Sequence, residues 1–204
     1  MKKTLITIVA TVLVCACIVG GTAAWLMDKT AAVTNTFTVG NISITLTETN
    51  PAGGTLNATT AAAEASYTVI PGKTCSKDPL VTVEAGSEAC WLFVQITETN
   101  NLYNGTTKYM TYNVADGWIL VDGTTNVYYR EVNKVDTNTS FYVLKGDATY
   151  ANGVVTMNSS VTGTMITALG ANKPTIAFSA YAVQKEAATS APGAWDLAQD
   201  NANY

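Results

Sequence analysis

The sequence contains no histidine, and this absence excludes several kinds of active site. A Ser-His-Asp or Cys-His arrangement needs an imidazole, and so does a zinc site of the HExxH type. The enzymes that remain would depend on paired carboxylates or on a lysine, and the sequence shows no readable motif of either kind. We therefore expect a protein that is not an enzyme, with no catalytic residue, no metal site and no cofactor.

Charged residues are also scarce. They make up 13% of the chain, about half of the usual share in globular proteins. With 11 basic and 15 acidic residues the formal net charge is −4, and no basic cluster is present, so we expect no nucleic-acid partner. Apolar residues reach 48%, which excludes wholesale disorder. The surface must then consist largely of uncharged polar residues, which protect poorly against association through sheet edges.

The first 24 residues have the three-part layout of a secretory signal peptide. Lys2 and Lys3 form a positive head, residues 5–19 are almost all apolar, and residues 20–24 are all small. This layout predicts a protein exported from the cell, which contacts the membrane only transiently, through the signal peptide, and meets a signal peptidase during export.

We expect cleavage between Ala24 and Trp25, because Thr22 and Ala24 occupy the two small-residue positions before that bond. A retained signal anchor is an alternative, although the apolar run is shorter than the roughly 20 residues of a membrane span. Lipid attachment at Cys15 or Cys17 is disfavoured, because neither cysteine follows the usual small residues.

Two cysteines remain after the signal, Cys75 and Cys90. In an oxidising exterior such a pair is typical of a disulfide, which would stabilise the fold by roughly 3 kcal/mol. Two buried free thiols are the alternative, and sequence spacing does not distinguish the two.

Beyond residue 35 the hydrophobic pattern is mostly that of β-strands. Ile42, Ile44 and Leu46 alternate with polar residues, and the segment 90–98 is apolar on both faces, which predicts a central strand covered on both sides. Pro71-Gly72 fits the centre of a type II turn. Further strands are predicted at 80–83, 118–121, 127–132, 141–144, 154–157 and 175–183.

Connections between these strands carry little helical signal. Residues 55–65 predict a weak helix or an irregular connection, and residues 191–197 a single helical turn whose Trp195 covers the sheets. Many short strands in one domain, 35–204, predict an all-β fold. We expect a jelly-roll-like β-sandwich with short helical connections, preceded by an N-terminal signal helix.

Several sequence blocks together resemble one family of exported bacterial proteins. The blocks are GGTAAWLMD at 20–28, NTFTVGNI at 35–42, VIPGK at 69–73, KDP at 77–79, ACWLFV at 89–94 and AYAVQ at 180–184. With these blocks the chain is similar to the TasA and camelysin family of Gram-positive bacteria, whose members leave the cell through a SipW-type signal peptidase.

This resemblance implies a secreted jelly-roll subunit of an extracellular biofilm matrix fibre, whose partners are other copies of itself or related matrix subunits. It also implies that the segment after the cleavage site, residues 25–34, acts as a donor strand that leaves its own subunit and completes the sheet of the next one. Lys29 interrupts the alternation of this segment, whose apolar residues are Trp25, Leu26, Met27, Ala31 and Val33.

Two other functions remain open. One is a monomeric adhesin or carbohydrate-binding β module on the cell surface, for which aromatic side chains could form a binding face. The other is a camelysin-like protease, which the lack of histidine disfavours. The aromatic candidates are Tyr103, Tyr109, Tyr112, Tyr128 and Tyr129.

Overall fold

The computed structural model describes residues 40–51, 55–57, 66, 67, 70–103 and 105–201. The predicted signal helix, its cleavage site at Thr22, Ala24 and Trp25, and the donor segment 25–34 lie outside these residues. None of the helices in the described part of the chain has the length and hydrophobicity needed to cross a bilayer.

Short strands dominate the described residues, with two α-helices and one 3₁₀ turn near the C-terminal end. The first six strands are β1 (Ile44–Thr49), β2 (Thr55–Asn57), β3 (Thr74–Ser76), β4 (Leu80–Val83), β5 (Cys90–Thr99) and β6 (Leu102–Tyr103). The next seven are β7 (Thr107–Lys108), β8 (Met110–Thr111), β9 (Ile119–Leu120), β10 (Val127–Val132), β11 (Thr139–Tyr142), β12 (Val154–Met157) and β13 (Thr175–Gln184). The helices are α1 (Gly163–Ala168), the 3₁₀ turn (Lys185–Ala187) and α2 (Ala191–Asn201).

The strands form three antiparallel sheets and one small ribbon. Sheet I has the order β11-β4-β1-β2, sheet II has β13-β5-β10-β9, sheet III has β3-β12-β8, and β6 pairs with β7 alone. Neighbouring strands in these sheets are mostly distant in sequence, as in sandwiches with crossing connections. The predicted all-β sandwich is confirmed.

The main core lies between sheet II on one side and sheets I and III on the other. Val81 and Val83 of β4, Leu92 and Val94 of β5, and Val155 of β12 are almost fully buried in one cluster. Because β5 also buries residues on its second face, its burial on both sides is as predicted.

The second face of sheet II is covered by α2. The Trp195 ring lies 5.5 Å from that of Phe93 and 5.2 Å from that of Tyr181. Ser190 precedes the helix, and its carbonyl accepts a hydrogen bond from the Ala194 amide. Residues 191–197 were predicted to form a single helical turn, but the helix continues to Asn201. Pro192 does not interrupt it, because this residue lies in the first turn, where its missing N–H removes no helical bond.

The connections differ in how well their sequence predicted them. The Pro71-Gly72 turn is confirmed, with the Lys73 amide donating to the Ile70 carbonyl and a positive φ of 72° at Gly72. The segment 55–65 was wrongly predicted at its start, where Thr55–Asn57 forms β2, and residues 58–65 lie outside the described range.

Candidate assembly edge

Burial falls from the centre of the sandwich toward one lateral side. Ile96 and Val94 on β5 are fully buried, whereas their partners on β13, Phe178 and Ala180, are only partly buried although they face the same core. An apolar inner face that stays partly exposed indicates that this side of the sandwich has room for further covering groups. We call this side, bounded by β13 and β1, the open side.

The edge strand of the open side is unusually long. β13 pairs with β5 over all ten of its residues, and within the described parts of the chain it pairs with no other strand. An antiparallel edge strand directs the N–H and C=O groups of alternate residues away from the sheet. The outer edge of β13 therefore offers a continuous row of backbone donors and acceptors.

Within the described residues, β2 and β4 flank different parts of β1 at the open side. β2 pairs with β1 only at Thr47–Thr49, whereas β4 pairs with Ile44–Thr47. Ile42 and Ile44 pack against the core but are only partly buried. The predicted parity is confirmed, since Ile42, Ile44 and Leu46 all pack against the core, but the strand begins only at Ile44.

A charged group lies inside the open side and is held by aromatic rings. The Lys77 ammonium donates to both Glu48 carboxylate oxygens, at 2.7 and 2.9 Å, and its Nζ lies 4.9 Å from the Tyr67 ring and 5.3 Å from the Phe178 ring. The Tyr67 hydroxyl donates to the same carboxylate. Burial, followed by this bond to an anion, raises the pKa of Tyr67 and keeps its hydroxyl a donor. The group thus joins β1 to the inner face of β13.

The described chain begins beside this edge. Gly40 lies against the side chains of Glu88 and Gln184, and a Cβ at position 40 would come within 2.8 Å of Glu88 Cγ. The Glu88 amide donates to the Asn41 carbonyl at 3.0 Å. Since Gln184 is the last residue of β13, Gly40 lies at the end of the open edge.

The opposite side, which we call the closed side, is filled by side chains. The Arg130 guanidinium lies 4.4 Å from the Phe141 ring and 5.3 Å from the Trp118 ring, and it donates to the Gly117 and Asp116 carbonyls at 3.1 and 2.7 Å. Gly117 has φ of 87°, and a Cβ there would collide with this guanidinium. Trp118 Nε1 donates to the Tyr142 carbonyl at 2.9 Å.

The structure separates the predicted cysteine pair. Cys75 on sheet III and Cys90 on sheet II are both free thiols, so the structure does not contain the predicted disulfide. The alternative of two buried free thiols holds for Cys90, whereas Cys75 is only partly buried. Burial raises the pKa of Cys90 to about 11. Burial also raises the pKa of Cys75, against the opposing effect of Lys77.

The tyrosines proposed as one binding face are divided among different places. Tyr103 packs against the buried Tyr109, with the ring centroids 5.8 Å apart and the rings tilted, and Tyr129 lies on the helix-covered face of sheet II. Tyr112 and Tyr128 line a common cleft. A single face made of all five is therefore wrong.

The polar contacts that brace the two sides were not predicted from the sequence. Glu48 and Lys77 are 29 residues apart, and Asp116 and Arg130 are 14 apart, so neither pair has a local signal. In the described ranges no group of three or more Cys, Asp or Glu side chains could hold a metal ion.

No protein-family model, curated protein or solved structure matches the chain.

Proposed function

We propose that this protein is a secreted structural subunit of an extracellular matrix fibre, assembled head-to-tail by donation of its N-terminal segment to a neighbouring subunit. The observation that carries the proposal is the outer edge of β13, ten residues long, with a partly buried apolar inner face and no described strand paired on the side away from β5. The signal-like N-terminus and its resemblance to the TasA and camelysin family supply the compartment and the Gram-positive setting.

The donor segment and the acceptor edge agree in length and in side-chain size. Residues 25–34 would span the same ten positions as β13. The inner face of β13 presents the small side chains of Ala180 and Ala182 beside the core, so large donor residues such as Trp25 and Met27 have room there. Backbone hydrogen bonds would supply affinity, and these side chains would supply register.

Donation of this kind produces an open filament. The donating segment and the accepting edge are different parts of the same surface, so each added subunit leaves a new free edge. The scarcity of charged residues favours this outcome, because lysine and glutamate on an edge strand are a common obstacle to strand addition. The end-to-end repeat should therefore continue without closing.

Electron microscopy and sedimentation of two purified chains test the proposal. A chain beginning at Trp25 should form long polymers, whereas a chain beginning at Thr34 should remain monomeric and unfold at lower denaturant concentration. Identical stable monomers from both chains would refute strand donation and leave the monomeric surface module as the function.

A pair of adjacent substitutions separates strand pairing from general loss of hydrophobicity. Val33→Asp places a charge on the face of the donor strand that would pack into the open side, and Ala32→Asp places the same charge on the opposite face. We expect Val33→Asp to abolish polymers and Ala32→Asp to retain them. Equal behaviour of the two variants would contradict an alternating donor strand.

A further inference from the structure

A second concave site lies away from the open edge, at the end of the sandwich where β5 finishes. It is a cleft of about 600 Å³, within the roughly 300–1,000 Å³ of small-molecule sites. One wall is the inner face of sheet II, and the other is the chain segment from β7 to β9. Its lining comprises Ile96, Glu98, Lys108, Thr111, Tyr112, Asn113, Val114, Thr125, Asn126 and Tyr128.

The charges in the cleft cancel each other. Lys108 Nζ donates to Glu98 Oε1 at 2.6 Å, and these are the two charged residues among those that line the cleft. Partial burial alone would raise the pKa of Glu98, but hydrogen bonds from Lys108, Asn101 and Tyr112 outweigh it and lower that pKa. The carboxylate therefore stays ionised and paired, and the cleft offers no net charge to an ionic ligand.

Uncharged hydrogen-bonding groups surround the opening of the cleft. The side chains of Thr111, Asn113 and Thr125 are exposed, and within the described residues they make no hydrogen bond. Asn126 donates its amide to the Ile96 carbonyl at 3.2 Å, which leaves its side-chain oxygen as an acceptor. The site thus combines donors and acceptors in similar number, as recognition of hydroxyl groups requires.

Two aromatic rings complete the site. The Tyr112 hydroxyl donates to Glu98 Oε1 at 2.7 Å, which holds its ring in place, and Tyr128 lies on the neighbouring inner face of β10. Burial and the bond to Glu98 raise the pKa of Tyr112, so it remains a neutral phenol. The Lys108 ammonium lies 5.8 Å from the centre of the Tyr112 ring, over one of its faces. A saturated ring would therefore place its weakly positive C–H groups against the other face of Tyr112 and against Tyr128.

The wall opposite sheet II is also fixed before any ligand arrives. The Met110 amide donates to the buried Asn101 side chain at 2.8 Å, and the Lys145 amide donates to the Asn113 carbonyl at 2.8 Å. A cleft that is already ordered loses little conformational entropy on binding. The rigidity of both walls favours a specific ligand over a chance surface contact.

We propose that this cleft binds an uncharged carbohydrate chain, with one sugar ring against Tyr112 and Tyr128 and its hydroxyl groups bonded to Thr111, Asn113 and Thr125. A charged ligand would have to separate the pair Glu98–Lys108. No residue of β13 lines the cleft, so carbohydrate binding does not depend on strand donation. In a matrix, such a site would attach the protein to neutral polysaccharide.

Titration calorimetry of the full secreted chain with soluble neutral oligosaccharides tests the proposal. The probes are hexaoses of glucose, N-acetylglucosamine, galactose and mannose, with a polyuronate oligomer of equal length as the charged comparison. We expect at least one neutral probe to bind with a Kd of roughly 10 µM to 1 mM. Binding of none, or tighter binding of the polyuronate than of every neutral probe, would overturn the proposal.

A matched pair of arginine substitutions locates the bound sugar. Thr125→Arg fills the opening of the cleft from the loop before β10, and Thr137→Arg adds the same side chain to the exposed loop after β10. We expect at least tenfold weaker binding in Thr125→Arg and unchanged binding in Thr137→Arg. Asn113→Ala should weaken binding about 2- to 10-fold, the worth of one hydrogen bond. Equal affinity in all three variants would place the sugar elsewhere and refute the assignment.

Discussion

The closed and open sides of the sandwich end in different ways. On the closed side the edge strand β9 has two residues, and Arg130 fills the space between Trp118 and Phe141. On the open side the edge strand β13 has ten residues, and its inner face keeps Phe178 partly exposed. The closed side is filled by packed side chains, whereas the open side has a long edge strand with no described strand on its outer side.

From this difference we expect that a second molecule would associate with the open side. A short edge beside a packed cationic side chain offers a second molecule few backbone groups, whereas a long flat edge offers many. The closed side should therefore be important mainly for stability, and the open side mainly for interaction. Three experiments test this division, in order of decreasing expected effect.

The largest effect should come from the closed side. Trp118→Ala removes a buried indole that contacts both Arg130 and Phe141, and it leaves the Tyr142 carbonyl without its donor. We expect a loss of about 3–5 kcal/mol in the free energy of unfolding, measured by urea denaturation of the monomeric chain beginning at Thr34.

Tyr142→Ala is the control, because its contribution here is a backbone carbonyl and its side chain is exposed. It should change the free energy of unfolding by less than about 1 kcal/mol. If Trp118→Ala is as mild as this control, the closed side does not stabilise the fold as described.

A smaller effect should come from the ion pair of the open side. Lys77→Met keeps most of the side-chain volume but leaves the Glu48 carboxylate, whose side chain is 15% exposed, without its cation. Because both groups retain some solvent contact, we expect a loss of about 1–3 kcal/mol, less than for a fully buried pair. Urea denaturation in the same chain measures it.

The double variant Lys77→Met/Glu48→Gln sharpens this result. Removing both charges together should recover at least half of the loss, since no unpaired charge is then left near Phe178. Additive losses would show that the two residues contribute independently and that the pair does not brace the open side.

The smallest effect should appear in thiol reactivity. Cys75 lies near Lys77 on the open side, and Cys90 is fully buried where β5 begins. Alkylation at pH 8, followed by mass spectrometry, should label Cys75 faster than Cys90 in the folded chain. Denatured without reductant, the chain beginning at Thr34, which has two of the four cysteines, should take up two labels. Uptake of none would show that Cys75 and Cys90 form a disulfide.

The Cys90 thiol makes the free energy of unfolding decrease as the pH rises. Cys90 has a pKa of about 11 in the fold against an ordinary value of 9.0, so the unfolded chain ionises first as the pH rises. Its contribution to stability is complete below pH 9 and is lost between about pH 9 and 11. The raised pKa values of Cys75, Tyr67 and Tyr112 add decreases of the same sign, so a Cys90→Ala chain, compared at each pH, should show a smaller decrease than the parent chain.

The regular strands were predicted from sequence because their pattern is local. The bounds of β4, β10 and β12 follow from short apolar runs, and β5 follows from apolar residues at both parities. A strand of two residues such as β8 exists only through pairing with the distant β12, so no run of sequence indicates it.

The sites were less predictable than the strands. The tyrosines were visible, but which of them share a cleft depends on how sheet II faces the segment after β7, and this is set by long-range packing. The unextended edge of β13 could not be recognised either, because an edge strand and a central strand of similar sequence differ only in their neighbours.

The position of Gly40 beside Gln184 has a consequence for direction. Gly40 lies at the C-terminal end of β13. A segment that ran straight along β13 into Gly40 would therefore have the same direction as β13. Its own subunit could then accept it only as a parallel strand, whose slanted bonds are slightly weaker, unless residues 35–39 reverse the chain. In that arrangement a second molecule, which can approach in either orientation, could supply an antiparallel strand that the segment's own subunit could not.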